Sequence, residues 1–425
     1  MSTIDQRTAD PVPEPRIRLL YVVGGGPGMA ERVDVSDLFA TRLSAMGLAI
    51  DWVMHDRAPG PAWYAALWHG AQARVIGRSP RGGLAGRIED KLRDLAGDLR
   101  TFALALWGPY DLIQVRDKFL VALLGLIAAR LRGRRFVYWA SYPFAECRIE
   151  DARSGRSRLP LLGLIRGRTA AWLLYRVILP NADRVFVQSR QMLQDFSAQG
   201  VRPESMIPVP MGIGEGLLRR PKAEIEPDTI LYLGTLNLVR RLDTLVDSLA
   251  LVRRRFPEAR LIFVGEGDVP EDRARLERAI ARHGLAQAVE ITGWLPAAEA
   301  QARVARAAVC VSPFYPTPIL LSTSPTKLIE YLALARPVVA NHHPEQTPMV
   351  AESGAGICVD WSAEAFAEAI GELLGDPERA ELMGQRGRDY VRERRLYSRI
   401  AEEVAPEYRR LCPAAPTPAL AAPDR

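Results

Sequence analysis

The chain of 425 residues is poor in the features on which several functional classes depend. Four cysteines, Cys147, Cys310, Cys358 and Cys412, are scattered without C-x-x-C spacing. That argues against a disulfide framework or a cysteine zinc site and fits a reducing cytoplasm. No run approaches the roughly 18 to 20 apolar residues that a spanning helix requires, so the chain is not expected to cross a membrane. The first fifteen residues lack the apolar centre of a signal peptide and read as a polar, Pro-rich tail. Aromatic residues make up 7% of the chain and do not alternate with basic ones, and no nucleic-acid motif is present. A nucleic-acid partner is therefore not expected.

What is there describes a soluble globular protein, with 48% apolar and 25% charged residues and length enough for two full cores. Net charge is +6, from 56 basic and 50 acidic side chains, a modest excess that suits an anionic small molecule or an anionic lipid surface. Short apolar runs alternate with helical patterns through both halves. Arg18–Val23 leads into Gly24-Gly25-Gly26-Pro27-Gly28 and a helix from about Val33 to Met46. Met29 stands where G-x-G-x-x-G needs its last glycine, so Gly24, Gly25 and Gly26 read equally as a phosphate loop or a tight turn. Residues 56–100 have no clear period. Leu112–Val115, an apolar helix Phe119–Leu131 and Phe136–Trp139 form a βαβ crossover, whose strand ends open onto a ligand crevice. Arg116, Asp117, Ser141, Tyr142 and Glu146 are the candidates there. In the second half Ile230–Thr235, Arg260–Gly267, Val289–Leu295 and Val309–Pro313 repeat the same strand-to-turn pattern, which predicts a second doubly wound domain.

Two segments, Phe119–Arg135 and Leu159–Leu179, combine apolar runs with Arg130, Arg132, Arg134, Arg166, Arg168 and Arg176. Each is readable as a core helix with solvated ends or as a basic-rimmed face for a membrane surface.

The stretch Ser324–Ala340 organises the rest. Ser324 and Pro325 suit a helix N-cap and first position, Lys327 to Leu334 supply an apolar face, and Pro337 ends the helix before Val338-Val339. A helix start is a seat for an anion, and Glu330 lies one to two turns inside it. This run, Ser-Pro-Thr-Lys-Leu-Ile-Glu-Tyr-Leu-Ala-Leu-Ala-Arg-Pro-Val-Val-Ala, resembles the donor-site segment of family 4 glycosyltransferases, the group 1 retaining enzymes of the GT-B fold, of bacterial surface-polysaccharide type. The resemblance covers roughly residues 15–410 and is tightest in the second half.

The resemblance implies an α/β fold of two doubly wound Rossmann-like domains facing a central cleft. The expected organisation is a tail at 1–15, an acceptor-binding domain at 16–211, a linker at 212–228, a nucleotide-sugar domain at 229–395, a helix at 396–412 crossing back, and a tail at 413–425. Glu330 matches the glutamate that binds the nucleotide ribose. The family's second glutamate, eight residues earlier, is Ser322 here, and Ser322, Thr323 and Ser324 remain as loop groups for the sugar. Aligned on Gly234, the family's diphosphate-binding arginine falls on Thr235 and its lysine on Arg240. Arg240 is the expected clamp, with Arg241 or Lys327 as helpers, because a guanidinium grips pyrophosphate bidentately. Gly265 and Glu266 would line the nucleobase pocket. No histidine follows the strand Phe136–Trp139, where many relatives have one.

The implied activity is transfer of a sugar, with retention, from a nucleoside diphosphate sugar to a glycan or polyprenyl-diphosphate-linked acceptor in surface polysaccharide synthesis. Arg240 and Lys327 are the catalytic candidates. No D-x-D motif is present, and no metal or cofactor is required. The expected location is cytoplasmic, with peripheral contact at the inner membrane face. A nucleotide-sugar epimerase or hydrolase, and a non-catalytic glycan- or partner-binding protein, are the alternatives.

Overall fold

The computed structural model describes residues 17–24, 32–154 and 159–413. The tails expected at 1–15 and 413–425 lie outside that set, apart from Pro413.

The first sheet opens with Ile17–Val22 (β1), buried at every position but Arg18. An apolar run without alternation is what a strand covered on both faces requires. It pairs in parallel with Leu48–Pro59 (β2) on one side. Residues 56–100, silent as a sequence, prove to be structured. Tyr64–Trp68 (β3) turns through His69 and Gly70, both at positive φ, into Ala71–Arg78 (β4), an antiparallel hairpin that pairs onward with β2. Two positive φ values in a two-residue loop are the type I′ geometry. The helix Gly83–Trp107 follows and turns small residues inward, among them Gly97, where a Cβ would meet Cδ1 of Ile76 at 2.2 Å. Its larger apolar residues, Leu84, Ile88, Leu92, Leu95 and Leu99, are exposed.

Leu112–Arg116 (β5), Arg135–Ala140 (β6), Arg184–Val187 (β7) and Met206–Pro208 (β8) complete the sheet, whose order is β3-β4-β2-β1-β5-β6-β7-β8. Between β6 and β7 the chain runs through the helices Phe144–Arg153 and Pro160–Leu173.

The second sheet contains Glu226–Leu233 (β9), Arg260–Val264 (β10), Val289–Ile291 (β11), Ala307–Ser312 (β12), Val338–Asn341 (β13) and Gly356–Val359 (β14). β9 begins at Glu226, so its first three residues fall within the expected linker. Its side chains divide by parity, Ile230 and Tyr232 entering one core and Leu231 the other, so both faces are packed. Every pairing is parallel, in the order β11-β10-β9-β12-β13-β14. Counted from β9 this is 3-2-1-4-5-6, and the order reverses between β9 and β12. Ligands of such sheets bind outside the carboxyl ends of the strands at that reversal, here after Leu233 and Ser312.

By contact density the chain divides into two compact units, residues 1–138 with 181–183 and 401–425, and residues 139–180 with 184–400. The last helix, Tyr397–Leu411, buries Tyr397, Ile400, Ala401, Val404, Ala405 and Tyr408 at helical spacing. Within the first unit, Tyr408 meets Phe39 edge to face at 6.2 Å, and its hydroxyl donates to Gln114.

Candidate functional site

The crevice after β9 and β12 is shaped first by glycine. Gly234, at φ +136°, leaves β9, and its N–H donates to Val264 at 2.9 Å. Gly265, at φ +144°, leaves β10 so close to it that a Cβ would stand 2.1 Å from the Gly234 carbonyl oxygen. Both turns therefore disfavour a side chain conformationally, and Gly265 excludes one sterically as well.

The helix Thr326–Ala333 aims at this opening, with Glu330 one turn inside it. Ser324 is not its N-cap as the sequence suggests. Its Oγ instead accepts the Met211 N–H at 3.1 Å, and Pro325 stands at the cap position. From the first turn Lys327 extends to the Gly234 turn, its Nζ donating to the Tyr232 hydroxyl at 2.9 Å. That hydroxyl donates in turn to the Thr235 carbonyl at 2.9 Å. The ammonium lies 4.2 Å from the centre of the Tyr232 ring and 5.2 Å from that of Phe314.

Arg240 comes to the same wall. It lies in the single turn Leu238–Arg240, and because Arg241 adopts a left-handed conformation the following helix starts only at Asp243. Its Nε donates to Thr235 Oγ1 at 3.2 Å, and its Cζ lies 5.6 Å from the centre of Phe314. One terminal nitrogen, Nη1, is buried without a hydrogen-bond partner. Thr235 thus holds the guanidinium in place of adding a second charge.

The electrostatics are unbalanced. Burial pushes the Lys327 ammonium well below its usual range, and neighbouring Arg240 pushes it further, with Glu330 acting weakly the other way. Burial raises Glu330 to about 7, against the pull of Lys327. Arg240 and Lys327 thus share one wall, and Lys327 carries its charge there at a cost that the neighbouring carboxyl, itself resisting ionisation, does little to offset. Such a pair is costly until an anion arrives.

The loop between β12 and the helix is held from β13, by residues that no sequence motif marks. The Asn341 amide accepts the Phe314 N–H at 2.7 Å and donates to the Phe314 carbonyl at 2.8 Å, fixing the ring beneath both cations. Gln346 donates to the Ser312 carbonyl at 3.2 Å. His343 Nδ1 accepts the Glu345 N–H at 3.1 Å, so the ring proton sits on Nε2 and is donated to the Leu320 carbonyl at 3.0 Å. Burial lowers the His343 pKa and keeps the ring neutral. Thr323 Oγ1 donates to Leu320 at 2.7 Å, whereas Ser322 Oγ is buried without a partner. Where the family pattern has a carboxylate, this loop leaves one unpaired hydroxyl.

The other sequence candidates fall elsewhere. Glu266 is tied to Arg273 at 2.8 Å and accepts the Gly267 N–H at 3.0 Å. Tyr142 is raised by burial and by Cys147, while Arg240 lies near enough to oppose that shift. Glu146 accepts the Tyr175 hydroxyl, and Ser141 is buried. Arg116 and Asp117 belong to the first compact unit. There Arg116 is buried in an ion pair with Asp34 at 2.8 Å and bonds Asp117 at 3.3 Å, and Asp117 takes a positive φ of 56°. Gly24 lies in a bend two residues past the end of β1, while Gly25 and Gly26 lie outside the described residues.

Known proteins share this architecture. Residues 30–212 match a sequence model described as "Glycosyl transferase 4-like domain", and residues 227–376 one described as "Glycosyl transferases group 1". A GDP-mannose-dependent alpha-(1-6)-phosphatidylinositol monomannoside mannosyltransferase of Mycolicibacterium smegmatis is 33% identical over 152 residues, which are 35% of this chain and 39% of that one. The chain spans about half the length, or less, of the curated relatives it matches. Sucrose-phosphate synthase from Thermosynechococcus elongatus superposes with a TM-score of 0.69 at 21% identity, covering 94% of this chain and 100% of that one. HepE from Anabaena, in complex with UDP and glucose, gives 0.68 at 16% identity, covering 92% and 99%. The chain accordingly has the GT-B fold, two parallel-sheet α/β domains.

Proposed function

We propose that the protein transfers a glycosyl group from a nucleoside diphosphate sugar to an acceptor hydroxyl. The observation that carries this reading is that two basic side chains, Lys327 and Arg240, are gathered at the Phe314 ring and that Arg240 Nη1 is buried there without a hydrogen-bond partner. A departing diphosphate gains charge as its bond to the sugar breaks, and fixed cations in a poorly solvated wall stabilise that charge more than they stabilise the bound donor. Glu330 takes the ribose hydroxyls in this reading, and loop groups at Ser322 to Ser324 face the sugar. We infer that configuration is retained. The bond from C1 to the diphosphate oxygen breaks with its electron pair leaving on the diphosphate. The acceptor oxygen bonds C1 on the same face, and its proton passes to the departing phosphate. The two cations supply the charge this needs, and no metal is invoked. The acceptor we favour is a lipid-linked glycan of surface-polysaccharide assembly, used from the cytoplasmic side. The curated relatives named for phosphatidylinositol mannoside glycosylation support the lipid part of that acceptor, and its polysaccharide part rests on the resemblance of the donor segment.

A non-catalytic reading is favoured by two residues, Ser322 and Thr235, which stand where the family pattern has charged groups. Thermal unfolding with UDP- and GDP-sugars decides first whether there is a donor site. A ligand at a hundred times its Kd adds about 2.7 kcal/mol to stability. Stabilisation by one class of sugar nucleotide, absent in Lys327→Ala, is the expected result. Failure of every sugar nucleotide to stabilise the protein would overturn the reading. Stabilisation without release of nucleoside diphosphate in the presence of lipid-linked acceptors would favour the binding protein.

A further inference from the structure

The helix Pro160–Leu173 carries its apolar side chains on the wrong face for a core element. It packs on the helix Phe144–Arg153 through Gly167, where a Cβ would lie 2.8 Å from Cγ1 of Ile149, and Ala170 one turn on is also buried. Its other face is open. Leu161 is 73% exposed, Ile165 55% and Trp172 61%, with Leu162 beside them at 39%. At 3.6 residues per turn these four fall within a sector of about 100°. Exposed Arg168 borders that sector on one side and Arg166 on the other, and exposed Arg176 follows in the next turns. From Leu159 to Leu179 there is no acidic residue.

We infer that this face docks on the surface of an anionic lipid bilayer. Apolar groups would enter the boundary between headgroups and acyl chains, Trp172 would sit at headgroup depth, and the arginines would meet lipid phosphates. Charge decides the occupant. The helix Gly83–Trp107 also exposes an apolar stripe, but its four basic residues, Arg87, Lys91, Arg93 and Arg100, are cancelled by Glu89, Asp90, Asp94 and Asp98. That stripe has no net attraction to an anionic surface. The outward face of Pro160–Leu173 has arginine alone, and no described helix is long and apolar enough to span a bilayer. The inference extends the lipid-linked acceptor reading by naming the surface that would bring the enzyme to such an acceptor. It concerns adhesion, so donor binding by the same samples shows separately whether the transferase reading fails.

The test is cosedimentation of the full chain with vesicles of phosphatidylglycerol and phosphatidylcholine, against phosphatidylcholine alone. One variant carries Arg166→Gln and Arg168→Gln, and another Ile165→Ser and Trp172→Ser. All four positions are exposed, and an unchanged unfolding temperature checks that each variant folds. Each arginine near an anionic surface strengthens binding roughly fivefold, so the arginine pair should cost about 25-fold in partition. The apolar pair should cost as much or more, and high salt should weaken the parent. Failure of the parent to bind anionic vesicles, or undiminished binding by both variants, would overturn the inference. A parent that binds neutral vesicles equally well would also overturn it.

Discussion

Lys327, Arg240 and Glu330 are individually ordinary residues made unusual by position. Burial holds Glu330 up to about 7, so between pH 4.5 and that value the folded chain keeps a proton that the unfolded chain has released. A state that binds the extra proton loses ground as protons become scarce, so this group makes stability fall as the pH rises through the window. Glu330→Gln removes the titration. At pH 8 the variant should unfold at a higher temperature than the parent, by an amount equivalent to about 1–3 kcal/mol, and the gain should vanish toward pH 4.5. Stabilisation by the donor nucleotide should fall in the same variant, since a neutral amide is a poorer acceptor for two ribose hydroxyls. A parent and variant with parallel stability curves would show that Glu330 is not held in this way. The glutamate and the lysine were legible as residues, because their spacing on one helix matches a recognisable run. Thr235 was legible only as a departure, and the structure gives it a use, to orient Arg240.

Among elements, β13 does more for the site than its four residues suggest. Asn341, at its carboxyl end, replaces a backbone partner for both the N–H and the carbonyl of Phe314. Asn341→Ala would leave both groups buried and unpaired, a cost of about 2–4 kcal/mol. It should lower the unfolding temperature and weaken donor stabilisation together, since Phe314 is the floor under both cations. Loss of stability with donor affinity intact would mean that the ring stays in place without the amide. Neither Asn341 nor Gln346 could be nominated from sequence, because an amide that bonds backbone across a gap leaves no periodic trace. The hairpin β3–β4 was missed for a related reason. Its turn uses His69-Gly70 where Asn-Gly is the strong signal, and a histidine at positive φ is not expected until it is seen. The helix Gly83–Trp107 defeats pattern reading differently, because it buries small residues, with Gly97 against Ile76 of the sheet, and turns leucines to solvent.

For the whole molecule, the last helix ties distant sequence into the first compact unit. Tyr408, Val404 and Ala405 are buried there, and Tyr408 joins a cluster with Phe39. A chain ending at Ile400 loses these side chains, and its first unit should become cleavable by protease within residues 17–138 at a temperature where the full chain resists. The residues proposed to hold the donor, Arg240, Lys327 and Glu330, all lie in the second unit, so stabilisation by sugar nucleotide should survive the truncation. Equal protease resistance of the two chains would show that the first unit holds its core without that helix.

By itself the sequence determined the architecture, two parallel-sheet domains, because strand and helix periods and the turns that punctuate them are local properties of the chain. It also marked the helix that bears Lys327 and Glu330, since residues on one helix keep their spacing in any fold. Only the tertiary structure decided that Arg240 and Lys327 share the Phe314 wall, that Arg116 is spent in a buried ion pair, and that one helix turns leucine, isoleucine and tryptophan to solvent. Those outcomes depend on which strand ends become neighbours and which face of a helix meets the sheet. The order of strands in the sheet fixes both, and it brings together residues too far apart in the chain for any local pattern to relate.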